Sequence, residues 1–351
     1  MKRIILAIAA ITAIAACTKS EVTYEAPGEI GFAPVTGNIT KASGIEGELD
    51  KEQELGIYAF WDKDLVLQKG ENYVKVDNYG GYDDKYLVNA LFAKKTATSW
   101  GGQDKGYPWP VNGALVFAGY TTPGDVVLTT GTSQDEPGEV MYDLASDTMT
   151  FTDYNNSNEF DLCWFGRTAY SYNNRKNGDA IEIELSHALS WITIAAYAEG
   201  TAEGWIITSM EWKVPTSGTA ECVGTTATWK SLNTPSTATD ILVNDEGTTI
   251  DHKLTAGSEP ETNGYKKGVE ITNNLVIPSQ PVELTINYTF KVNGVDKTDS
   301  KTVSLKLNQD NSQKWVSGVH YTYTLKFAAN EILVTPSYGT WTDQNQGVTV
   351  E

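Results

Sequence analysis

Cysteine, histidine and basic residues are all scarce in this 351-residue chain: three Cys, three His, and 26 Lys plus Arg against 45 Asp plus Glu, for a formal charge of -19. Three cysteines cannot build the dense disulfide framework of a small secreted scaffold. His187, His252 and His320 stand far apart, without the short spacing of metal-ligand pairs, so neither a metal nor a cofactor is expected. A surface this acidic repels phosphate backbones, which argues against nucleic acid as a partner. No His-Glu-x-x-His, Gly-x-Ser-x-Gly, phosphate-binding glycine loop or Cys-x-x-Cys is present. Carboxylates abound, and a glycosidase pair needs no motif, but their plain role is to keep the chain in solution. The acidic loops at 77–84 and 308–311 lack the ligand order of an EF-hand. The expectation is a protein that is not an enzyme.

Long apolar runs are missing too. The longest, Ile4 to Ala16, follows Lys2 and Arg3. As a helix it would span roughly 20 Å, short of a bilayer core of roughly 30 Å. A basic start, a short apolar stretch and small residues at its end mark a secretory signal. Ile14-Ala15-Ala16-Cys17 resembles a lipobox, so Cys17 is the expected site of lipidation with acyl groups such as palmitate, anchoring the chain to the outer membrane. No later run reaches the ~18 apolar residues of a spanning helix. Cys163 and Cys222 remain, either paired in an oxidising compartment or as buried thiols.

What is present in quantity is β texture. From Leu55 onward, short alternating or apolar runs are broken by Gly, Asn, Asp and Pro. Leu284, Ile286, Tyr288, Phe290 and Val292 alternate with polar residues, and Asn293-Gly294 follows, a strong hairpin signal because both turn positions need positive φ. Val303, Leu305 and Leu307 mark the return strand, and Tyr321, Tyr323, Leu325 and Phe327 a third. One buried and one wet face per strand predicts an all-β chain of antiparallel sandwiches. The length accommodates two tandem domains. The Asn-rich stretch Tyr172 to Asp179 precedes a new strand at Ile181, Ile183 and Leu185, which places the boundary at residue 178. The expected order is a signal peptide at 1–17, a leader at 18–41, one sandwich at 42–178 and a second at 179–351.

Ten Trp and eighteen Tyr raise a second possibility. Trp100, Tyr107, Trp109 and Tyr120 lie close in sequence, and stacked rings on a β-sandwich bind sugars, although core packing uses the same residues. A monomeric surface lipoprotein that binds glycans is therefore the alternative. Asp147-Thr148-Met149 resembles an O-glycosylation acceptor of exported proteins.

Several stretches taken in order resemble the fimbrillin family, the Mfa-like and FimA-like pilins that build type V pili. These are Glu29 to Val35, Thr40-Lys41-Ala42, Leu55 to Trp61, Trp100 with Tyr107-Pro108-Trp109-Pro110, and Leu115 to Tyr120. Ser186-His187-Ala188-Leu189-Ser190 and Trp315, Gly318, Tyr321, Tyr323, Pro336 and Trp341 complete the pattern. The resemblance implies a transthyretin-like or Ig-like pair of sandwiches and a structural pilus subunit or tip adhesin in the fimbrium. It also implies a trypsin-like protease cutting between Lys41 and Ala42, or at Lys51. The cut would release a leader strand carrying Ile30, Phe32 and Val35. Other pilin subunits would be the partners, each filling the opened groove with a C-terminal strand. Ile332, Leu333, Val334, Val348 and Val350 are the donor candidates here. The plainer readings are that the tail is the last strand of its own domain and the leader an uncut tether.

Overall fold

Alternation with a period of two becomes strand after strand in the computed structural model. It describes residues 28–35, 53–65, 85–96, 99–123, 140–156, 161–171, 180–235, 237–242, 251–257, 268–307, 313–328, 331–340 and 348–349. Cys17, Lys41, Ala42, Lys51, Val350, the segment 172–179 and the two acidic loops lie outside them.

The strands run in chain order as β1 Gly31–Val35, β2 Gln53–Asp62, β3 Lys85–Thr96, β4 Ser99–Gly102, β5 Ala114–Pro123, β6 Val140–Asp143, β7 Thr148–Asn155 and β8 Cys163–Tyr170. Next come β9 Ile181–Glu184, β10 Ser186–His187, β11 Ser190–Ala198, β12 Ile206–Trp212, β13 Ser217–Val223, β14 Thr226–Lys230, β15 Thr239–Asp240 and β16 His252–Lys253. The last six are β17 Val269–Val276, β18 Glu283–Val292, β19 Val295–Ser304, β20 Val319–Ala328, β21 Glu331–Thr340 and β22 Val348–Thr349. One 3-10 turn, Gly200–Ala202, is the only helical element among the described residues. No helix there is long and apolar enough to cross a membrane.

Eight strands form the first sheet, in the order β10-β8-β5-β2-β3-β4-β1-β9. Its central strands are apolar at nearly every position because both faces are covered. On β2, Leu55, Ile57 and Ala59 enter one apolar cluster while Tyr58 and Phe60 enter another. On β5, Leu115 and Phe117 join the first cluster, and Val116, Ala118 and Tyr120 join the second. The second cluster is closed by the four-stranded sheet β14-β13-β7-β6, through Val140, Met149, Phe151, Ala220 and Cys222. Across the other face the sheet curls over itself, and the Tyr170 hydroxyl of β8 donates to the Glu182 carbonyl of β9 at 3.1 Å.

Two further sheets, β17-β11-β20-β21-β22 and β15-β12-β18-β19, enclose a third cluster. Ile192, Ile194, Tyr323, Leu325 and Phe327 face Met210, Trp212, Leu284, Ile286 and Trp315 there. The hairpin turn forms as the sequence demands, with φ of 50° at Asn293 and 79° at Gly294 and Val292 opposite Val295. Its far end stands in solvent, with Val292 43% and Val295 58% exposed, so the alternating face is buried only up to Tyr288.

Chain order and sheet membership diverge at the expected boundary. β9 and β10 lie beyond residue 178 yet join the first sheet, and β13 and β14 pair with β7 and complete the second. The physical reason for the first is complementarity: Ile181 and Ile183 are 1% and 2% exposed against the same cluster that holds β1. The sheets are also not purely antiparallel. β1 runs parallel to β9, and β11 parallel to β20.

Gly113 enters β5 at φ +71°, where an added Cβ would strike the Asp62 carbonyl oxygen. The left-handed backbone alone costs an L-residue roughly 1–2 kcal/mol. Gly113→Ala is therefore expected to lower the free energy of unfolding by at least about 1–2 kcal/mol, read from the urea midpoint at constant slope.

A pH dependence follows from β20. The His320 ring stacks on Trp191 at 3.9 Å and 7°. Its Nε2 lies 2.7 Å from the Thr193 hydroxyl, which donates to Asn273. Burial lowers the His320 pKa from 6.5 to about 4. The unfolded chain thus takes up the proton first as pH falls, and unfolding gains about 3 kcal/mol between pH 6.5 and 4. His320→Gln should remove that share of the acid sensitivity, measured as unfolding free energy at pH 7 and pH 4.5.

Candidate functional site

The feature that sets the first sheet apart is strand β1, five residues long and lying between two other strands. On one side Gly31 and Phe32 pair antiparallel with Gly101 and Trp100 of β4. Just outside β1, Ile30 N–H donates to the Tyr107 carbonyl at 2.7 Å, and Trp109 N–H donates to the Gly28 carbonyl at 3.2 Å. On the other side Phe32 to Val35 pair parallel with Ile181 to Glu184 of β9. Without β1, two strand edges would face each other across a gap of roughly 10 Å, twice the spacing of neighbouring strands.

Side chains fix the register. Ile30 is 1% and Phe32 0% exposed. The Phe32 ring meets Phe92 edge-on at 5.0 Å and Phe117 edge-on at 5.3 Å, with Phe165 tilted at 6.4 Å. Such aromatic contacts add roughly 0.5–1.5 kcal/mol each beyond area burial. Gly31 and Ala33 alternate to the other side, as the sequence pattern requires. Val35 is paired in the backbone to Glu184.

The wall of the slot is built from the Pro- and Gly-rich segment after β4. Tyr107 stacks on Phe92 at 5.5 Å, and the Tyr86 hydroxyl donates to the Pro108 carbonyl at 2.5 Å. Burial pushes the Tyr86 phenol up, so it stays a donor. Gly102, at the end of β4, has no room for a side chain, because an added Cβ would strike the Lys105 carbonyl oxygen. This need for bare backbone is a groove feature that the sequence pattern does not announce. Chemically the slot can hold an extended chain by backbone hydrogen bonds and two deep apolar pockets.

The other candidates are distributed differently. Trp100, Trp109 and Tyr120 are only 4%, 3% and 0% exposed, and Tyr107 is half-buried. The aromatic patch foreseen as a glycan platform is thus core, because these rings seal both faces of the curled sheet. Ile332, Leu333 and Val334 sit on β21, which pairs with β20 over all ten residues. Ile332 and Val334 lean on the third cluster, while Leu333 points out. Val348 lies on β22 and pairs with Tyr338. Cys163 and Cys222 are free, buried thiols and form no disulfide. Asp147 accepts from Tyr142 and from the Arg167 backbone, and the Thr148 hydroxyl hydrogen-bonds Ser146 in the same tight turn.

Residues 40–341 match a family model described as fimbrillin-like. A fimbrial protein from Bacteroides vulgatus is similar in structure, with a TM-score of 0.51 and 16% identity over 89% of this chain and 99% of that one. A fimbrial assembly protein from Parabacteroides distasonis gives a TM-score of 0.35 and 12% identity over 92% and 99%. The fimbrial anchor protein Mfa2 from Porphyromonas gingivalis gives 0.31 and 13% over 89% and 98%. At these identities, the first likeness speaks to the fold alone. No curated protein matches the chain.

Proposed function

This chain belongs to the fimbrillin-like family, and we propose that it is a pilus subunit or tip adhesin at the cell surface, exported as a lipoprotein and assembled by strand exchange at the β1 slot. The observation that carries the reading is the position of β1. It is buried between two strand edges, yet joined to β2 only through the seventeen residues 36–52. Lys41 and Ala42 lie in that connection. A trypsin-like cut there leaves β1 held by non-covalent contacts alone.

A strand entering the vacated slot inherits two edges and the pockets of Ile30 and Phe32. Strand addition of this kind gains its affinity from main-chain hydrogen bonds and its specificity from alternate side chains. A head-to-tail contact of this type does not close on itself and so propagates as a filament. The C-terminal end supplies the incoming strand. Val348 leaves at least cost, since β22 has only two paired residues, and Val350 follows it in the chain. Ile332, Leu333 and Val334 would follow if β21 parted from β20.

Two results test this. Brief digestion of the purified chain with a trypsin-like protease should yield SDS-resistant ladders or filaments; a clipped chain that stays monomeric would contradict assembly at this slot. Deleting residues 341–351 removes β22 and Val350 but leaves β21 fully paired. That variant should fold with a melting temperature near that of the parent and fail to extend. Normal polymerisation of the truncated chain would rule out this tail as the donor.

A further inference from the structure

Twenty-six residues separate Asp161 from His187 in sequence, and the pairing of β10 with β8 brings them together. Asp161, Cys163 and His187 each point one ligand atom at a common space, all within 4.8 Å of one another. His187 Nδ1 lies 2.9 Å from Asp161 Oδ2 and 3.3 Å from Cys163 Sγ. We propose that these three residues form a buried structural site for one zinc ion, a latch between β8 and β10.

Nδ1 holds either one proton or one lone pair. With the proton it donates to the Asp161 carboxylate, which also takes the Cys163 S–H. With the lone pair, the nitrogen, the sulfur and the carboxylate can instead bind one cation in the shared space.

The hydrogen-bonded form leaves one oxygen over. Asp161 Oδ1 is buried and has no hydrogen-bond partner among the described residues, while the residue as a whole is 1% exposed. A buried carboxylate oxygen left unpaired is costly. As a second oxygen ligand it would take the fourth position that three protein residues leave open and that water otherwise fills in zinc sites.

Charge and donor type agree. One thiolate and one carboxylate balance a divalent ion, so a site with Cys163 0% and His187 8% exposed would hold no net charge. A sulfur, an imidazole nitrogen and a carboxylate suit zinc, whereas calcium and magnesium take oxygen ligands. On binding, the Cys163 thiol releases its proton to solvent and the sulfur lone pair forms the zinc bond. Nδ1 binds through its own lone pair, leaving the ring proton on Nε2. Burial raises the Cys163 pKa well above 9, so without an ion the thiol stays protonated and is no nucleophile.

The ligands are also braced. The Thr121 hydroxyl on β5 donates to the Asp161 carbonyl at 3.0 Å and accepts from Cys163 N–H at 2.8 Å. Such outer contacts fix ligand geometry before an ion arrives. Ala188, next to His187, donates its N–H to the Leu162 carbonyl at 2.8 Å. The site thus sits where the chain leaves the first sheet for β11. Because it is closed to solvent, the ion enters as the chain folds.

Cobalt(II) tests the proposal, since it reports thiolate ligation through a charge-transfer band in the near ultraviolet. The full chain carrying Cys17→Ala and Cys222→Ala is unfolded in chelator, refolded with cobalt(II) or zinc(II) and dialysed. One cobalt per chain with a thiolate band is expected, and a band there can come only from Cys163. Adding Cys163→Ala should abolish both the band and the bound ion, and zinc should raise the melting temperature of the parent but not of that variant. A parent that refolds without the band or without bound metal would overturn the proposal. So would a bound ion that survives Cys163→Ala. If Cys163→Ala fails to fold, the parent spectrum still decides.

Discussion

Phe32→Ala is expected to lower the free energy of unfolding of the uncut chain by about 3–5 kcal/mol, the range for truncating a fully buried phenylalanine. The ring is 0% exposed and touches Phe92, Phe117 and Phe165 at once, from β3, β5 and β8. Truncation therefore opens a cavity where the curled sheet meets itself, and three aromatic walls cannot all collapse into it. Phe32→Leu keeps most of the volume and should cost less than about 1.5–2 kcal/mol. Urea unfolding at constant slope separates the two variants. A cost for Phe32→Ala below about 1 kcal/mol would make β1 a passenger on the sheet, and the slot would not need filling.

Lys41→Ala combined with Lys51→Ala is expected to leave the leader on the chain and abolish assembly altogether. A trypsin-like protease needs a basic residue in accessible chain, and these are the two basic residues between β1 and β2. While that connection is intact, β1 is an intramolecular ligand at high effective concentration. An incoming strand must then compete with a tethered one that already fills both apolar pockets. On the proposed route, cutting the connection lets β1 dissociate at the cost of its own contacts, and the slot opens. The readout is the mass of the surface-exposed protein and the presence of SDS-resistant ladders. Normal ladders from the double variant would remove processing at these lysines from the account.

Much of this fold can be read from alternation alone. Leu284, Ile286 and Tyr288 on β18 and Tyr321 to Phe327 on β20 lie where a period of two places them, and Asn293-Gly294 turns the hairpin. The slot is half legible. Ile30 and Phe32 are visible as a short alternating pair, but their partners on β4 and β9 are about 70 and 150 residues away, and local pattern carries no information about pairing at that distance. The same reason explains the boundary near residue 178. Ile181 and Ile183 announce a strand, yet nothing in Ile-Glu-Ile-Glu says that it pairs parallel to β1 and not within a new domain.

Aromatic density misled in the other direction. Trp100, Trp109 and Tyr120 can suit a sugar platform or a core, and only the curl of the sheet decides for the core. The Asp161, Cys163 and His187 constellation leaves no trace in spacing, because the β8–β10 pairing creates it.

The most direct test is the N-terminal sequence of the protein in sheared surface filaments, set beside that of the membrane-bound form, by mass spectrometry. Exchange at the β1 slot predicts filaments whose subunits begin at Ala42 and lack Gly31 to Val35, with the longer form confined to the membrane. Filaments whose subunits still carry Ile30 and Phe32 on the same chain would contradict it.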